Sequence, residues 1–136
     1  MGEEIFADSQ GWIALLNRSD QSHAAACKVM SALAGEHRRI ITTDWILAET
    51  GNGLARTKAR AGFVEAVRRL QKSPSVTIVK ISDDHFEQAL EMFSRAGDKG
   101  WGLVDCASFV VMSARGLTEA FTNDHHFEQA GFGRLL

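Results

Sequence analysis

The chain has 136 residues, 45% of them apolar and only one a proline, enough for a single domain spanning 1–136 that buries roughly two thirds of its unfolded surface. A formal net charge of −2 excludes a global electrostatic pull toward nucleic acid, a membrane or an acidic substrate, so any such partner must be met by a local patch. Cys27 and Cys106 make no disulfide framework and, with no secretory pattern at the N-terminus, read as reduced, buried thiols of a cytoplasmic protein.

The elements alternate along the chain. "EIFA" (Glu4 to Ala7) is a short apolar strand ended by Asp8, and "WIALL" begins a helical pattern. "SHAAACKVMSALAG" (Ser22 to Gly35) predicts an alanine-rich amphipathic helix stopped by its glycine. "RIITT" (Arg39 to Thr43) is strand-like and leads into a helix from Asp44. "GFVEAVRRLQ" (Gly62 to Gln71) predicts a further helix, and "SVTIVKI" (Ser75 to Ile81) is β-branched enough to be a strand. Asp83 and Asp84 open the next helix, where acids suit the first-turn dipole. "WGLVDCASFVVMSA" (Trp101 to Ala114) predicts a buried helix, too short for a bilayer, which takes about 20 apolar residues. "TEAFT" (Thr118 to Thr122) is the fourth strand. "HFEQA" occurs at His85 and again at His126, read as two helix starts rather than a repeat. Strands alternating with helices imply an α/β layered fold with a mainly parallel sheet, because parallel neighbours need helical crossovers.

In such sheets chemistry collects at the carboxyl ends of the strands. Asp8 and Asp124 follow apolar strands toward one rim, Glu49 lies in the helix after the second strand, and Asp105 opens the helix before the fourth. Singly, each has a structural reading: Asp8 and Asp124 as caps or turn residues, Glu49 as an exposed helix residue, Asp105 as an N-cap for "CASFVVM".

Together, "FADSQGWIALL", "TTDWILAET", "DKGWGLVDCASFVVM" and "FTNDHHFEQAGF" resemble, in order and spacing, the four acidic motifs of PIN-domain proteins, above all the single-domain VapC-type toxins. The resemblance runs from Ile5 to Phe132. It implies a three-layer α/β/α PIN-like fold around a mainly parallel sheet of four or five strands, and it carries the family's catalytic, metal-binding acids onto Asp8, Glu49, Asp105 and Asp124. Thr43 and Thr122 match the family's small hydroxyl residues. Gln10, Gly102 and Val104 depart from it, standing where hydroxyl residues are usual.

The resemblance further implies a metal-dependent endoribonuclease, the toxin of a type II toxin–antitoxin pair, with RNA as substrate, an antitoxin as partner and a homodimer as its assembly. The alternative is a PIN fold that binds RNA or protein without cutting. A phosphatase or receiver domain is disfavoured, because Ser9 and Gln10 occupy the places where those folds need a further acid. Physical chemistry points to the same cofactor. Two carboxylates about 4 Å apart repel by roughly 1 kcal/mol in water and roughly 4 kcal/mol at an effective dielectric of 20. A hard cation, Mg²⁺ or Mn²⁺, relieves that repulsion, and the lack of clustered His and Cys argues against zinc.

Three other features have two readings each. "RTKAR" (Arg56 to Arg60) with Arg68, Arg69 and Lys72 is either a phosphate track or a solvated helix face. Trp12, Trp45 and Trp101, each four residues from an acid, either stack on bases or pack the core. His125 and His126 are either a surface pair or a proton shuttle.

Overall fold

The computed structural model describes residues 3–136. In chain order it runs β1 (Glu4–Ala7), α1 (Ser9–Leu16), α2 (His23–Gly35), β2 (Arg39–Thr43), α3 (Asp44–Leu54), α4 (Arg60–Lys72), β3 (Val76–Val79), α5 (Asp83–Arg95), α6 (Leu103–Ala114), β4 (Glu119–Phe121), α7 (His125–Gln129) and β5 (Gly133–Arg134). The five strands form one sheet in the order β3-β2-β1-β4-β5, and every pairing is parallel. Helices flank it in the expected α/β/α arrangement.

β1 is central, and parallel strands covered on both faces lose any polar alternation. Accordingly Ile5, Phe6 and Ala7 are fully buried, as are Ile41 of β2 and Ala120 and Phe121 of β4. The chain first builds outward from β1 through β2 to β3, then returns to the other side of β1 for β4. That reversal puts a topological switch point between β1 and β4, where open α/β sheets form a crevice at their carboxyl ends.

α6 explains its own sequence. Cys106 to Met112 are all buried, so this helix is apolar on every side because it is enclosed. Phe109 is its anchor, edge-on to Trp101 and to Phe127 with ring centroids 5.0 Å away in each case. Burying a phenylalanine of this kind contributes roughly 1.5–3 kcal/mol.

Two glycines set helix spacing. A Cβ on Gly11 of α1 would lie 2.2 Å from the Phe121 carbonyl oxygen, and one on Gly53 of α3 would lie 2.6 Å from Ile13 Cδ1. These small residues let α1 press onto β4 and α3 press onto α1, drawing the elements that carry Asp8 and Glu49 together.

The structure adjusts several sequence-based boundaries. α1 starts at Ser9, before "WIALL"; α4 is longer at both ends than Gly62–Gln71; β3 is shorter than Ser75–Ile81. Gly35 does not stop α2. The left-handed residue is His37 (φ 56°), and the Arg38 N–H reaches back to Leu33 O at 3.0 Å, satisfying the helix end as a Schellman-type turn does. Cys106 is buried as expected, whereas Cys27 is half-buried, its sulfur 3.5 Å from His23 Nε2. No helix among the described residues is long and apolar enough to cross a membrane.

Candidate active site

Asp8, Glu49, Asp105 and Asp124, read from four separate places in the chain, line one open cleft of about 490 Å³ at the switch point. Each arrives by a different local route.

Asp8 is the first residue past β1 and occupies the N-cap position of α1, yet its side chain makes no capping bond to that helix. Instead it is 2% exposed and accepts a hydrogen bond from the Thr122 hydroxyl at 2.8 Å. Burial pushes its carboxyl up to about 7, with repulsion from Asp105 and Glu49 adding to the rise and the Thr122 hydroxyl and Ser9 amide opposing it. Below it, the Trp12 indole N–H donates to Thr42 Oγ1 (3.2 Å), whose hydroxyl donates to Ala7 O (2.9 Å), fixing the strand end from which Asp8 projects.

Glu49 comes from α3, which Thr43 caps by accepting the Ile46 N–H at 3.0 Å. Thr43 therefore sets where the helix begins, and Glu49 faces the cleft rather than solvent. The Ser9 hydroxyl donates to Glu49 Oε1 at 2.5 Å.

Asp105 is not an N-cap. Gly102 holds that position, and Asp105 stands three residues on, its Oδ2 accepting the Gly102 N–H at 3.1 Å. Burial raises its pKa, Asp124 adding to the effect and the Gly102 amide and His126 opposing it. Asp124 does cap a helix: its Oδ1 accepts the His126 N–H at 2.9 Å at the start of α7. It follows β4 only after Thr122 and Asn123, and its own N–H donates to Thr122 Oγ1 at 3.0 Å.

One residue belongs here that spacing alone did not assign. His126 places Nδ1 3.1 Å from Asp105 Oδ2 and 3.5 Å from Asp124 Oδ1, with its side chain only 23% exposed. The reading that no histidine clusters with the acids is thereby corrected, since Asp124, His125 and His126 bring possible ligand atoms within 4.8 Å of one another. Its position two residues after Asp124, on the first turn of a short helix, was the available signal.

The tryptophans divide between environments: Trp12 is core, while Trp45 and Trp101 are half-buried against Phe86 and Phe109. Arg56, Lys58, Arg60, Arg68, Arg69 and Lys72 are exposed, and Arg69 pairs with Glu65 along α4. Lys58 and Arg18 line a second cleft of about 320 Å³ beyond the C-terminal end of α1.

Among the described residues no lysine or arginine lines the acidic cleft, so none of their side chains offers a fixed cation to offset the four carboxylates. Carboxylate oxygens with one imidazole nitrogen are the donor set of a hard or borderline divalent cation, and the residues present fit Mg²⁺ or Mn²⁺.

Residues 5–133 match the PIN domain family. The 23S rRNA-specific endonuclease VapC20 of Mycobacterium tuberculosis is 33% identical over 129 residues, covering 94% of this chain and 95% of that protein. The crystal structure of VapC20, described as a sarcin-ricin loop cleaving toxin, superposes with a TM-score of 0.84 at 29% identity, covering 94% of this chain and 95% of that one. VapBC2 from Rickettsia felis, solved bound to a DNA fragment from its promoter, shares the fold with a TM-score of 0.65 at 14% identity, over 96% of each chain.

Proposed function

This chain belongs to the PIN-domain family, and from that premise we propose that it is a divalent-metal-dependent endoribonuclease acting as the toxin of a toxin–antitoxin pair. The observation that carries the reading is the cleft itself: four carboxylates from distant parts of the chain line it together, with no lysine or arginine of the described residues among them. Such an arrangement costs stability unless a cation is bound, which is a reason to expect function rather than packing.

Asp8 and Asp105 are the principal ligands in this proposal, with Asp124 completing the set. A bound ion supplies an activated water and neutralises charge on the phosphodiester and its leaving oxygen. The residues of the chain do the rest. Thr122 fixes the orientation of Asp8, the Gly102 amide fixes Asp105, and the helix cap fixes Asp124. Glu49, aimed by Ser9, orients the attacking water or holds a second ion. Gln10 and Asn52 offer neutral hydrogen-bonding groups at the cleft wall. Arg18, after α1, and Lys58, between α3 and α4, line one cleft and are the cations proposed to meet the phosphates of the RNA strand.

The likeness to a 23S rRNA-specific endonuclease supports ribosomal RNA as the substrate class. An antitoxin that covers the cleft is the expected protein partner, and a cytoplasmic setting follows from both. The homodimer is proposed through α5, where Phe86, Leu90 and Phe93 stand exposed at helical spacing.

The deciding experiment incubates purified protein with 23S rRNA and either Mg²⁺ or Mn²⁺, beside chelated, Asp8→Asn and Asp105→Asn samples. Cleavage confined to the unsubstituted, metal-supplied protein is expected. RNA retained but uncut in both ions would leave a binding module in place of the nuclease.

A further inference from the structure

We propose that His126 is itself a metal ligand, through Nδ1 beside Asp105 and Asp124, and that it makes the cleft select Mn²⁺ over Mg²⁺; this rests on the metal-dependent reading above. Its nitrogen lies 3.1 Å from Asp105 Oδ2 and 3.5 Å from Asp124 Oδ1. Around one six-coordinate ion with bonds of about 2.1 Å, neighbouring ligand atoms stand about 3 Å apart. Both separations from the imidazole nitrogen are therefore those of adjacent ligands on a shared ion.

The two oxygens are also preset. Asp105 Oδ2 accepts the Gly102 amide at 3.1 Å, and Asp124 Oδ1 accepts the His126 amide at 2.9 Å. Each is anchored by a backbone N–H at a helix start, so neither depends on the imidazole to hold it in place. The ring is in turn seated by α7: it is mostly enclosed and packs against His125 with ring centroids 4.6 Å apart. A ring needed only as a clip would be redundant on oxygens already held by the backbone.

Chemistry then separates the ions. Mg²⁺ takes oxygen ligands and keeps its waters, whereas imidazole nitrogen suits first-row transition metals. A site of carboxylates alone discriminates little between Mg²⁺ and Mn²⁺; adding one nitrogen favours Mn²⁺. His125, with Nδ1 3.8 Å from Asp124 Oδ1 and its side chain 68% exposed, lacks both the second carboxylate contact and the enclosure.

The test uses the full chain stripped of metal, titrated calorimetrically with MnCl₂ and with MgCl₂, and examined with bound Mn²⁺ by pulsed electron paramagnetic resonance for nitrogen coupling. Nitrogen coupling is expected in the unsubstituted protein and in His125→Ala, and is expected to vanish in His126→Ala and His126→Gln. Mn²⁺ affinity should fall roughly 10- to 100-fold in both His126 variants, with Mg²⁺ affinity changed by less than about 3-fold. Circular dichroism melts establish that the variants are folded. Mn²⁺ bound without nitrogen coupling, or bound equally well by folded His126→Ala, overturns the assignment while leaving the metal-dependent nuclease standing. If neither ion binds the unsubstituted protein, both readings are overturned.

Discussion

The Thr122 hydroxyl donates to Asp8 Oδ2 at 2.8 Å, joining residues 114 positions apart. Thr122 Oγ1 in turn accepts the Asp124 N–H at 3.0 Å, so one side chain at the end of β4 ties the acid after β1 to the acid before α7. The contact exists because β1 and β4 pair in parallel, with Ala7 opposite Phe121.

Asp8 gives the metal-free protein a stability that depends on pH. Its carboxyl titrates near about 7 in the fold, chiefly through burial, and near about 4 in the unfolded chain. Between those values the folded state holds a proton that the unfolded state has lost. Stability therefore falls as pH rises from about 4 through about 7 and levels off above, by up to about 4 kcal/mol for this group. Asp105, raised for the same reason, acts in the same sense. Urea denaturation of chelated protein across this range should show the decline, and Asp8→Asn should flatten most of it. A level profile in the unsubstituted protein would mean that Asp8 ionises normally.

Ser9 carries the hydroxyl that orients Glu49. Ser9→Ala should lower the rate of RNA cleavage roughly 10- to 100-fold, as loss of a ligand-orienting bond does. Its effect on folding should stay near about 1 kcal/mol. Equal cleavage by both proteins would show that Glu49 needs no such help.

Gly11 tests the spacing of α1 against β4. A methyl group there meets the Phe121 carbonyl and ring, so Gly11→Ala should destabilise the protein by about 1–3 kcal/mol in chemical denaturation. The strain falls on the segment that brings Asp8 to Thr122, so cleavage should decline as well. Unchanged stability would mean that α1 can move away from the sheet without cost.

On α5, Phe86, Leu90 and Phe93 are 37%, 38% and 48% exposed. Leu90→Arg places a charge in the middle of that stripe and should convert a dimer into a monomer in sedimentation velocity, with the helix intact. An unsubstituted protein that already sediments as a monomer removes α5 as the dimer face.

Much of this architecture was legible in the residues because helices and strands are local. Apolar runs of four or five residues gave β1 and β2, and the acids at Asp83 and Asp84 marked the start of α5. β5 was not individually readable: two residues, one of them glycine, carry no periodicity, and the strand forms because the Gly133 N–H meets Thr118 O at 2.7 Å. His37 likewise shows no sign in sequence of its left-handed backbone, which the Arg38 to Leu33 bond imposes.

The sequence by itself determined the alternation of strand and helix, the apolar enclosure of α6 and the four acids at the ends of elements, since each follows from composition over a few residues. Only the tertiary structure decided that these acids share one cleft. Their convergence depends on the chain crossing back beside β1 to form β4, a relation between residues more than a hundred positions apart. It also decided which polar groups serve them. Ser9 faces Glu49 and His126 faces Asp105 because α1 packs on α3 and α7 caps beside α6, and hydrogen bonds between distant elements leave no periodic trace in the chain.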